Sequence, residues 1–190
     1  MVTFETHFTE DHMTAATLTP TRPITAKKAS FDIAPATRII VGAAAIAMSA
    51  VCLFALTRGI MGAAPDHYAW KSWSVMIHVA AVIPAVPLGG YLLASRKGTK
   101  LHKQLGKLWL ALMVVTAVSI IFIRGGTDFS WIHIFVPITL HGAYKAITTV
   151  RKGDIQAHKR HLIGMYLGAL MIPGIFSFLP GRFMGVLLFG

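Results

Sequence analysis

Long apolar runs separated by short basic stretches set the pattern of this chain. A helix needs about 20 mostly apolar residues to cross a hydrocarbon core of roughly 30 Å. Five stretches suffice: residues 39–56, 73–94, 105–123, 131–150 and 162–179. The fold class they predict is all-α, a polytopic membrane bundle of five transmembrane helices. Residues 183–190 are apolar but too few to cross, and are expected in the interface or folded back on the bundle. Residues 1–38 are rich in Thr and Pro with no helical or strand period, and read as a disordered cytoplasmic tail. Glu5, Glu10 and Asp11 precede the first apolar run, unlike a secretory or mitochondrial leader, so the first helix is expected to stay as a span. The bundle domain then covers 39–182.

Composition agrees. Of 190 residues, 55% are hydrophobic and 13% charged, against about 25% charged in an ordinary soluble domain. The net charge of +11 is scattered between apolar runs instead of gathered on one face, which argues against nucleic acid as a partner and for anionic lipid headgroups. With the N-terminus inside, only Arg58, Lys71, Arg124 and Arg182 of the 18 Lys and Arg fall outside. Basic residues of short loops stay cytoplasmic, so the expected topology is N-terminus in and C-terminus out, in a bacterial inner membrane. Trp70, Trp73 and Trp131 then mark outer helix ends.

Cys52 is the single cysteine, which excludes a disulfide framework and a thiolate metal cluster. All seven acidic residues lie in the tail or loops, against the intramembrane carboxylates of proton-coupled transporters. No internal duplication and no P-loop, HExxH, nucleophile elbow or Rossmann fingerprint occurs, so no particular enzyme activity is indicated.

Histidine is the surplus, at nine residues. His78 lies about five residues, or roughly 8 Å, inside the second span. His133 sits at similar depth near the outer end of the fourth. On the cytoplasmic side, His102 opens the third helix and His158 and His161 open the fifth. The pairs His78–His133 and His102–His158 predict bis-imidazole ligation of haem b, because a neutral imidazole binds iron without carrying charge into lipid. The outer pair, deeper in apolar surroundings, is expected to be the more secure. Lys71 and Arg124 outside, and the inner basic loops, would meet the propionates. Gly89, Gly90, Gly142, Gly164 and Gly168 would leave room for a flat macrocycle, and Gly164 and Gly168 equally form a small-xxx-small packing step. Carbonyls freed by Pro84 or Pro137 are the expected acceptors for the second ring nitrogens. His141 reads as a packing or relay group.

The segments GTKLHKQLGKLW (98–109) and GDIQAHKRHLIGMYLGALMIPGIFSFLPGR (153–182) resemble an uncharacterised bacterial family of predicted integral membrane proteins, over roughly residues 70–182. That resemblance implies fold and location and carries no established activity. The histidine pairing is also similar in architecture to two-haem transmembrane b-type cytochromes, which have six spans where five are expected here. Two functions are thus open: haem b electron transfer, or a non-catalytic accessory subunit or assembly factor of a larger membrane complex.

Overall fold

The computed structural model describes residues 35–123 and 131–190. Helix takes up 83% of these, and there is no strand among them. The first helix, α1, runs Pro35–Ile60, starting four residues before the apolar run and inside the stretch expected to be tail. Proline suits such a start, since the first-turn N–H groups have no intrahelical partner. A short 3₁₀ turn, Tyr68–Lys71, leads into α2, Trp73–Ala94, whose ends fall where the sequence places them. α3 covers Lys100–Ile121. These three helices are long and apolar enough to cross a membrane.

The fourth and fifth apolar stretches fold as composite helices. A 3₁₀ turn, Trp131–Ile134, continues into α4, Phe135–Arg151. Pro137 therefore lies in the first turn of α4, where a missing N–H costs little, instead of kinking a continuous helix. α5, Ile155–Gly164, widens into a π-helical segment, Met165–Met171, and tightens again as α6, Ile172–Phe176. Pro173 follows directly and has no N–H to return to the carbonyl four residues back, so the regular ladder breaks there. α7, Phe183–Phe189, does not cross. It packs on α1, with Leu187 fully buried and Phe183 edge-on to Trp70 at 5.1 Å. Arg58 fastens it, donating to the carbonyls of Leu188, Ala63 and Gly190.

Glycines that admit side chains of neighbouring helices hold the bundle together, as small residues do where lipid removes the usual driving force between apolar faces. A Cβ at Gly89 would sit 2.5 Å from Trp109 Nε1 and 2.6 Å from Tyr166, and one at Gly142 would sit 2.6 Å from Met165. One at Gly90 would collide with Ala45. Gly164 and Gly168, by contrast, face nothing within 4 Å, so the expected packing step is not a close helix crossing. Trp109 Nε1 donates to Ala85 O (2.9 Å) and Tyr166 Oη to Val86 O (3.1 Å). Both acceptors lie between Pro84 and Pro87, so α3 and the π segment grip α2 at its proline turn. Outward-facing Ile39, Ile46, Phe54, Leu108 and Ile138 are exposed. Such an apolar girdle would aggregate in water and is at rest in lipid.

Candidate functional site

At the end of the bundle where α2 finishes and α3 begins, two helix starts are built alike. Gly98 (φ +83°) precedes Thr99, whose side chain accepts from His102 N at 3.0 Å. Gly153 (φ +77°) precedes Asp154, whose Oδ1 accepts from Ala157 N at 2.9 Å. In each case a left-handed glycine turns the chain, a cap fixes the first turn, and a histidine follows within four residues of the cap. Those histidines are His102, in the first turn of α3, and His158, in the first turn of α5.

Their ring nitrogens are differently engaged. His158 Nδ1 lies 2.7 Å from Ala146 O on α4. A carbonyl only accepts, so Nδ1 carries the proton and Nε2 is the lone-pair nitrogen. This is the outer-sphere bond that orients metal-ligating histidines. His102 Nδ1 is buried with no hydrogen-bond partner among the described residues. Around the pair, Lys100, Lys103, Lys107 and Arg160 are exposed, while Lys97 holds the end of α2 through Leu93 O (2.5 Å) and Ser95 O (2.6 Å). Arg38 closes the same end from α1, donating to Ala94 O at 2.5 Å.

The other half of the bundle is arranged otherwise. His78 Nδ1 meets Thr116 O and Ser119 Oγ on α3, each at 3.1 Å. Ser119 donates its own proton to Thr116 O at 2.8 Å, so Nδ1 is again the protonated nitrogen. The acceptor thus comes from α3, not from a carbonyl freed by Pro84 or Pro137. His78 lines a cavity of about 220 Å³ between α2, α3, α4 and the π segment; His133 is not among the residues lining it. Arg182 is on its wall, a cation that sequence reasoning did not connect to the site. His141 is exposed, and Arg124 lies outside the described residues. Among the described residues, no three His, Cys, Asp or Glu gather to hold a metal ion.

The glycines expected to admit a macrocycle do not do so uniformly. Gly89, Gly90 and Gly142 receive Trp109, Tyr166, Ala45 and Met165, while Gly164 and Gly168 remain open.

These features define a helical membrane protein with a capped imidazole pair at one end and a polar-spotted apolar cavity towards the other. The family described as "Predicted membrane protein (DUF2306)" matches residues 75–185, and the chain belongs to that family. That match spans His78, His102, His133 and His158 and both glycine-led helix starts. No curated protein and no solved structure matches the chain.

Proposed function

We propose that the chain is a five-span electron-transfer protein of a bacterial inner membrane, N-terminus inside, that binds haem b between His102 and His158. The observation that carries this reading is the pair itself. His158 is tied by Nδ1 to a backbone carbonyl, which leaves its Nε2 lone pair for a ligand, and His102 opens a helix capped in the same way. A bound haem b supplies one-electron chemistry between ferric and ferrous iron. The chain's own part is to fix two imidazoles through the caps at Thr99 and Asp154 and to keep the deeper side dry. Lys100, Lys103, Lys107 and Arg160 offer cations to two propionates and, beyond them, to anionic headgroups. The composite helices of residues 131–151 and 155–176 complete the five spans, and the excess of Lys and Arg on the histidine-paired side supports its cytoplasmic placement.

The test is the visible spectrum of protein purified from haem-replete cells. A Soret band is expected, lost in His102→Ala and His158→Ala and kept in His161→Ala and His133→Ala. Loss in His133→Ala with retention in His102→Ala would move the haem to the outer pair. A colourless protein would leave the accessory-subunit reading in its place.

A further inference from the structure

α4 turns a polar stripe away from the bundle. The outward residues of α1, such as Ile46 and Phe54, are apolar, whereas α4 exposes His141 and Tyr144, the latter 63% exposed. Ile134, Pro137, His141, Tyr144, Thr148 and Arg151 recur at alternating steps of three and four residues. That is the 3.5-residue period of a seam between two parallel helices, and all of them are exposed except half-buried Thr148. His141 stands ten residues from Trp131 and ten from Arg151, roughly 15 Å from either end of the span. Ionisable side chains at that depth face a bundle interior or pair with one another. Among the described residues, neither His141 nor Tyr144 has a side-chain hydrogen-bond partner.

The chemistry of the stripe says what covers it. A neutral imidazole keeps one lone-pair nitrogen, and a phenol has one proton to donate. A two-fold axis along the membrane normal sets two copies of α4 parallel, and each then supplies what the other needs. Helical side chains lean towards the N-terminus, so Tyr144 is carried back towards the level of the partner's His141, one turn away. A helix of another protein would have to bring the same donor and acceptor at the same spacing; this chain already carries them. Between Ile134 and Tyr144 the helix has no formal charge, so two copies meet there without repulsion, and Lys145 and Arg151 lie beyond, towards the basic end. We propose that the chain is a parallel homodimer in the membrane, joined along α4 by two symmetric hydrogen bonds from Tyr144 Oη to the partner's His141. This rests on the fourth apolar stretch being a span, as in the five-span reading above, and not on haem.

Full-length chains labelled for energy transfer are diluted in liposomes, and the dimer fraction is read against the protein-to-lipid ratio. A dimer is expected. Tyr144→Phe and His141→Leu should each weaken it about tenfold, since either change removes both bonds of the symmetric pair. Both side chains face outward, so neither substitution disturbs packing within one chain. Mixing the two variants regains one Tyr144–His141 bond, so the mixed dimer should form about threefold more tightly than either variant alone. A monomer at every ratio, parent-like association of both variants, or no gain on mixing would overturn the proposal. On the same liposomes, an impermeant thiol reagent should reach Ile134→Cys and Arg151→Cys from opposite sides. Access to both from one side overturns the five-span reading, whereas opposite sides with a monomer overturn the dimer alone. A colourless dimer overturns the electron-transfer reading alone.

Discussion

Gly89 and Gly106 show how differently two glycines in neighbouring helices can matter. A side chain at Gly89 would strike the Trp109 and Tyr166 rings, both buried and both hydrogen-bonded to α2. Gly89→Ala is therefore expected to destabilise by about 1–3 kcal/mol, as overpacking does. Gly106 meets nothing within 4 Å, and Gly106→Ala should gain about 0.5–1 kcal/mol of helix stability. Thermal unfolding in detergent separates the two; equal melting of both variants would refute the packing account. Trp109 stands out in the sequence, but its partner does not, because the rotation of α3 against α2 decides which carbonyl it reaches. The same holds for His78. Its burial in a span is legible from hydropathy, whereas Thr116 and Ser119 look like ordinary hydroxyl residues of a membrane helix until the helices are packed.

Whole elements divide in the same way. The ends of α2 are readable because Ser72 and the Ser95–Arg96–Lys97–Gly98 run bracket one apolar block. The π segment is not, since Met165–Met171 has the composition of any buried helix and only Pro173 hints at a broken ladder. His102 and His158 could be placed at helix starts from sequence, but the caps that fix those first turns, Thr99 and Asp154, show only in the folded chain. Asp154→Ala should cost about 1 kcal/mol and fray the first turn of α5, while Asp154→Asn, still able to cap, should not. Amide hydrogen exchange at residues 155–158 reads this directly. Unaltered exchange in Asp154→Ala would show that tertiary packing alone holds the turn and its histidine.

For the molecule as a whole, orientation is the property with the sharpest outcome. Cys52 is buried, so an introduced surface cysteine reports with little background. An impermeant thiol reagent applied outside intact cells should label Asp66→Cys and leave Gly98→Cys and Gly153→Cys untouched. The reverse pattern would invert the topology and place the basic loops outside.

The hold of Arg58 on Leu188 joins residues 130 apart in sequence, and this sets an order of events in time. Ribosomes add about 5–20 residues per second, so α1 waits on the order of 10 s for the helix that completes its C-terminal end. Until then its guanidinium and the Trp70 face have no α7 to meet. Nascent chains stalled before Phe183 should accordingly be cut by external protease in the segment 61–67, and chains released with α7 should resist. Equal resistance in both would mean that α1 finds another cover during synthesis.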